Sequence, residues 1–341
     1  MLFRSIDLRQ TIFDPLDLPT HATEVIFAPD GDLNLVPFGI LPLEHGILSD
    51  RLSIRYVSAS RDLRPRLQPP APASVGTIAA NPNYDFPTDE IAPPPTIELE
   101  KSGSVSTLNH KLTPLPQTEP LAQKIAQSLG IKPHLGNDAQ AINLRQLRSP
   151  QYLVIATHGL HGLDPEGGDN PDPMRDAGLA LAGFNTSRAG GELPPELEGG
   201  LFTARDLLEL DLWGTQIAIL LACSSGTGNV RQGEGVFGLK RALAIAGVAT
   251  LIASLWDVPV QTSILLMDKF FEYYRDGAGQ PAAICLQQAQ SYIRNITRAE
   301  LLSIEQGRII LQEIDAKIDH LQGAEHPLQH PMFWGAWLCQ G

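Results

Sequence analysis

At 341 residues the chain has room for one large domain or two of ordinary size. Hydrophobic residues make up 43% and charged residues 18%, a globular composition with ample material for a buried core. With 38 acidic against 25 basic residues, the net charge of −13 argues against nonspecific nucleic-acid binding, which needs an excess of Lys and Arg.

The three cysteines, Cys223, Cys285 and Cys339, are far apart and odd in number. That spacing argues against a disulfide framework or a zinc cluster and suits a reducing cytosol, so a cytoplasmic location is expected. Met1 to Gln10 lacks the long apolar core of a signal peptide. The longest apolar stretch, Ala242 to Trp256, is interrupted by Gly247 and Thr250 and is too short to span a bilayer.

Along the chain, EVIFAP at 24–29 reads as a short buried strand followed by an Asp30-Gly31 turn. Leu33 to Leu43 carries Pro37 and Pro42 and reads as irregular. Residues 53–57 and 74–80 read as strands. Residues 81–116 are rich in Pro, Ser and Thr and read as a linker, the best boundary in the chain. Thr118 is an expected N-cap for a helix carrying Leu121, Ile125 and Leu129 and stopped by Gly130. YLVIA at 152–156 and IAILL at 217–221 lack polar alternation, as strands covered on both faces do. Between them, 163–200 reads as loop around one apolar run, 178–183, and Asp206 to Leu210 as a short helix. Gly235 to Ala246 reads as helix and 248–255 as a third buried strand. Helices are expected at 262–274, 281–296 and, as one long element, 299–321. The final strand is expected at 333–338. The alternation of buried strands and helices predicts an α/β fold with a mainly parallel sheet.

Two segments share one design. YLVIA runs into Thr157-His158-Gly159, and IAILL runs into Ala222-Cys223-Ser224. If these strands are parallel neighbours, His158 and Cys223 leave the sheet at the same carboxyl edge, where ligands bind in open α/β sheets. An imidazole can take the thiol proton, and the N–H groups of Gly159 and Cys223 could stabilise an oxyanion. Taken singly, a Cys after a strand is a small core residue and a His-Gly is a turn; the matched offsets are what favour the pair. The acidic run Asp164, Glu166, Asp169, Asp172, Asp176 lacks the spacing of a calcium loop and reads as solvated. His161 reads as a loop residue near the cleft, and Cys285 and Cys339 as core. No metal or cofactor is expected.

These segments resemble the CHAT domain, a caspase-like (clan CD) cysteine peptidase family related to separase. The matching stretches are ATHG at 156–159, LACSSGTG at 221–228, GEGVFGLKRALAIAGVATLIASLWDV at 233–258 and HPMFWGAWLCQG at 330–341. APDGDLNLVPFGIL at 28–41 and NPNYDF at 81–86 match as well. The resemblance implies a three-layer αβα sandwich with a noncatalytic, pseudo-protease-like subdomain at 1–115 and the peptidase at 116–341. It implies His158 as general base, Cys223 as nucleophile and the Gly159 and Cys223 N–H groups as oxyanion donors. SLWDV is similar to the separase motif, which makes Asp257 the S1 residue for a P1 Arg or Lys; a solvated acid or helix cap is the other reading. The partners implied are a protein substrate and an activating protein or TPR module; nucleic acid and membrane are not. Relative to the family, this chain has Pro259-Val260 where acids often follow the Leu-Trp-x-Val motif. A noncatalytic scaffold on the same fold is the main alternative. An amidase triad would want a His-x-Glu segment, which the sequence lacks.

Overall fold

Apolar runs bounded by turn residues become strands, and the helices carry apolar stripes between them. The computed structural model describes residues 8–63, 69–86, 111–163, 172–222, 232–256, 258–277 and 279–341. In chain order the strands are Glu24–Phe27 (β1), Ser53–Tyr56 (β2), Ser74–Pro82 (β3), His134–Gly136 (β4), Pro150–Ala156 (β5), Gly159–Leu160 (β6), Gly178–Ala180 (β7), Leu201–Thr203 (β8), Ile217–Leu221 (β9), Thr250–Ser254 (β10) and Trp337–Gln340 (β11). Two units emerge. One is Arg66–Asp257; the other joins Met1–Pro65 to Val258–Gly341. The 66–257 unit runs straight through the linker and boundary expected near 115.

In the 66–257 unit, β10-β9-β5-β3-β4 form a parallel sheet in that order. Parallel neighbours need crossovers, and helices Glu119–Leu129, Ala141–Arg145 and Gln232–Ala246 lie between consecutive strands of this sheet. Leu153, Ile155, Ala218, Leu220, Leu251 and Ala253 project to one face and share a core with Leu144, Leu207, Leu239 and Leu243. The alternate residues Val154, Ile219 and Ile252 are buried on the other face. Burial on both faces is why β5 and β9 show no polar alternation.

Gly130 ends the 119–129 helix at φ +66, as expected. Thr118 does not cap it. Pro116–Thr118 forms a 3-10 turn instead, and the Thr118 hydroxyl donates to the carbonyl of Leu115. The 163–200 region holds more order than its Gly and Pro content suggests. Its apolar run holds β7, which forms a small antiparallel sheet with the flanking β6 and β8, Gly159 opposite Leu179 and Leu179 opposite Phe202.

In the second unit, β2 lies between β1 and β11, all parallel. Phe27 stacks on Phe38 with ring centroids 4.1 Å apart, and the Tyr56 hydroxyl accepts the Phe38 N–H at 2.8 Å. Helices Val260–Asp276 and Ala282–Asn295 pack on each other, and the latter lies on β2 and β11. The single helix expected over 299–321 is two, Arg298–Ser303 and Glu305–Lys317, parted by extended Ile304. The expected strand at 333–338 begins only at Trp337. Pro331–Phe333 is a 3-10 turn, and the Gln290 amide takes the carbonyls of Trp334 and Trp337. Cys285 and Cys339 are buried free thiols, and burial pushes Cys339 up to about 12.

Candidate active site

The site is built on the adjacent ends of β5 and β9. They pair in parallel from Tyr152 opposite Ile217 to Ala156 opposite Leu221. Beyond the last pair, the Thr157 N–H donates to the Leu221 carbonyl at 3.2 Å. This is the arrangement that the matched offsets of His158 and Cys223 require. Gly159 then passes against the residue that follows β9: a Cβ there would stand 2.9 Å from the Ala222 carbonyl oxygen, leaving no room for a side chain. Cys223 and Asp257 lie outside the described residues, so the described geometry of this edge ends at Ala222.

His158 is buried, with 6% of its surface exposed. Its Nε2 lies 2.8 Å from the main-chain oxygen of Thr113. A carbonyl can only accept, so Nε2 carries the proton and Nδ1 keeps a lone pair in the neutral ring. Burial pushes the imidazole pKa below its ordinary 6.5, and the bond to Thr113 partly opposes that shift. The neutral ring, a competent base, is therefore the resting form near pH 7.

A directed chain of bonds holds the backbone beneath this ring. The Thr157 hydroxyl donates to the carbonyl of Ala180. The Tyr84 hydroxyl must then donate to Thr157 Oγ1, 2.9 Å away. The Tyr84 ring also packs on the imidazole, with centroids 5.4 Å apart. Burial pushes the Tyr84 phenol up to about 12, so its proton stays in place. The His158 carbonyl accepts the Ala180 N–H at 3.0 Å. That bond makes Gly159 and Leu179 a non-hydrogen-bonded antiparallel pair, and the Gly159 N–H points away from β7.

His161, expected in a loop, is buried, and burial lowers its pKa against the charge of Asp176. Of the acidic run, Asp172 caps the Pro173–Asp176 helix by accepting the Met174 N–H; residues 164–171 lie outside the described residues. Among the described residues no cluster of His, Cys, Asp and Glu could hold a metal ion, and no helix is long and apolar enough to cross a membrane.

Sequence reasoning missed Thr113, Tyr84 and Thr157 as parts of this site. Tyr84 and Thr157 lie in stretches that resemble the family, 81–86 and 156–159, but with no role attached to them. Thr113 precedes Pro114, which restricts it to extended conformations.

No curated protein sequence matches the chain. Among solved structures, it is similar to the Saccharomyces cerevisiae separase–securin complex determined at 3.0 Å, with TM-score 0.48 and 14% identity over 93% of this chain and 15% of that one. The same complex at 2.6 Å gives TM-score 0.44 and 13% identity over 93% and 16%. The chain thus spans less than a fifth of the length of those chains. A family model, the CHAT domain, matches residues 5–341. That match covers nearly the whole sequence, including both strand ends of the site, and the chain belongs to the CHAT domain family.

Proposed function

We propose that the chain is a cysteine endopeptidase in which His158 deprotonates Cys223. One observation carries the reading: the His158-Gly159 turn packs directly on Ala222, the residue before Cys223. The Nε2 bond to Thr113 supports it further, because it leaves Nδ1 free to accept a proton.

In the proposed cycle the Cys223 sulfur bonds to the scissile carbonyl carbon as its proton passes to Nδ1. The carbonyl oxygen becomes an oxyanion, met by the N–H groups of Gly159 and Cys223. On collapse the C–N bond breaks, the amine leaves with the proton from Nδ1, and a thioester remains. Water then attacks, giving its proton to Nδ1, and the thiol leaves as the acid product forms. Asp257 is proposed as the S1 carboxylate for a P1 Arg or Lys. Residues 1–115 are proposed as the noncatalytic part and 116–341 as the peptidase. Within that division, Thr113 of the first part supplies the His158 acceptor. A protein substrate and an activating protein or TPR module are the proposed partners.

The test is to digest a diverse peptide library with wild type, Cys223→Ala and Asp257→Ala and to read the cleavage sites. Cleavage after Arg or Lys that needs Cys223, and weakens without Asp257, is expected. Equal cutting by wild type and Cys223→Ala would reject the dyad and leave a scaffold. Cleavage after acidic residues would reject the Asp257 pocket alone.

A further inference from the structure

We propose that Asn185 and Asn81 are positioning residues for His158, bracketing the segment Leu112–Leu115 so that the Thr113 carbonyl oxygen is fixed at the imidazole. The inference rests on the reading of His158 as general base, and its test separates the two.

The segment is held by side chains on either side of the critical carbonyl. On one side, the buried Asn185 amide acts as a strand neighbour would. Its Oδ1 accepts the Leu112 N–H at 2.9 Å, and its Nδ2 donates to the Leu112 carbonyl at 2.9 Å. The second Nδ2 proton goes to Asp85 Oδ1 at 3.1 Å, which also receives Lys111 Nζ at 3.2 Å. The Asn185 main-chain N–H donates to the Tyr84 carbonyl at 2.8 Å, so the clamp and the ring packed on His158 are joined.

On the other side, Asn81 Oδ1 accepts the Leu115 N–H at 2.6 Å. Its Nδ2 donates to Glu119 Oε1 at 2.7 Å, which fixes which way the amide faces. Asn81 sits at φ +42, a left-handed conformation that asparagine tolerates better than most residues. Between the brackets lie Thr113, limited to extended backbone by the following proline, and Pro114, whose ring fixes its own φ. Leu112 is buried with Tyr84, Leu160, Ala180 and Phe184. With both ends tied and the middle stiff, the Thr113 carbonyl has one direction to point.

The consequence is chemical. A neutral imidazole without a fixed acceptor exchanges its proton between the two ring nitrogens, and molecules with the proton on Nδ1 cannot take one there. The bracket keeps Nδ1 bare in every molecule.

The test uses the full chain with 15N-labelled histidine. Long-range proton–nitrogen spectra report which ring nitrogen carries the proton, with the His158 signals assigned from His158→Gln. The variants are Asn185→Leu, which keeps the volume and loses the amide, and Asn81→Gly, which keeps the left-handed backbone and loses the side chain. Cleavage is followed on a fluorogenic peptide with Arg at the scissile position. Wild type should show the proton on Nε2 alone. Both variants should show averaged tautomers, with kcat reduced about tenfold and KM little changed. A wild-type proton on Nδ1, or wild-type spectra in folded variants, overturns the bracket. If Asn185→Leu fails to fold by near-UV circular dichroism, Asn81→Gly decides. Shifted tautomers with no Cys223-dependent cleavage in any sample would leave the bracket standing and remove the peptidase reading. Cleavage with unchanged spectra would do the reverse.

Discussion

A Cβ on Gly159 would stand 2.9 Å from the carbonyl oxygen of Ala222. The residue after the histidine and the residue before the cysteine are thus in contact without a side chain between them. Gly159→Ala must push the two strand ends apart or strain them. We expect it to cost about 1–3 kcal/mol in urea unfolding and to cut peptide cleavage at least about tenfold. A variant with wild-type stability and rate would show that the two strand ends need not approach so closely.

The acid limb of kcat/KM should fall below pH 6.5. Activity needs the neutral imidazole, and burial lowers the His158 pKa from 6.5, so the rate is lost as pH falls through that depressed value. The same shift has a sign for stability. The unfolded chain binds the proton first, so the contribution of His158 is whole above its unfolded pKa and is lost as pH falls towards the folded one. His161 and His134, also depressed by burial, act in the same direction. Urea midpoints measured downward from pH 7.5 should drop from near pH 6.5, and less steeply in His158→Gln.

Tyr84→Phe keeps the ring on the imidazole and removes one hydroxyl. It leaves the buried Thr157 hydroxyl oxygen without its donor, while Thr157 still donates to Ala180. Loss of about 1–3 kcal/mol is expected in urea unfolding at constant m-value. Thr157→Val should overlap with it, so the double variant should lose less than the sum.

Arg145 lies over the Phe202 ring, 5.2 Å from its centroid, and donates to Glu198 at 2.8 and 2.9 Å and to Asp206 at 3.0 Å. About a third of the Arg145 side chain is exposed, so water screens these pairs. Arg145→Met should cost about 1–2 kcal/mol at low salt and less at high salt, read from urea curves at two sodium chloride concentrations.

Gly307 sits inside the Glu305–Lys317 helix, where alanine would ordinarily be favoured by about 1 kcal/mol. Here a Cβ would collide with the carbonyl oxygen and Cα of Leu301 in the preceding helix. Gly307→Ala is therefore expected to lower the thermal midpoint, against its helix propensity. A raised midpoint would mean that the two short helices can part without cost.

The sheet of the 66–257 unit and the turn bearing His158 were legible because their signals are side-chain patterns. Five apolar residues in a row, twice, each followed two residues later by a reactive group, survive any detail of packing. The long helix expected over 299–321 failed for an instructive reason. Leu302 and Ile309 keep the helical spacing but are exposed, so their periodicity carried no burial, and the Thr297–Glu300 capping box starts a helix that ends at Ser303. The strands of the small antiparallel sheet are two or three residues long, too short for alternation to register. The acceptor of His158 was invisible for another reason. It is main chain, 45 residues away in sequence, and a carbonyl leaves no residue type to notice.

The unit that joins 1–65 to 258–341 has an implication for how the chain comes off the ribosome. β2 finds a neighbour in β11, where Gly341 donates to Tyr56 at 2.9 Å and Arg55 donates to Gly341 at 3.1 Å. Arg55 and Gly341 are synthesised 286 residues apart. The 66–257 stretch can collapse while translation continues, but β2 must wait for β11. Throughout that delay β2 is an unsatisfied strand edge in the nascent protein, the span over which a chaperone has most to protect.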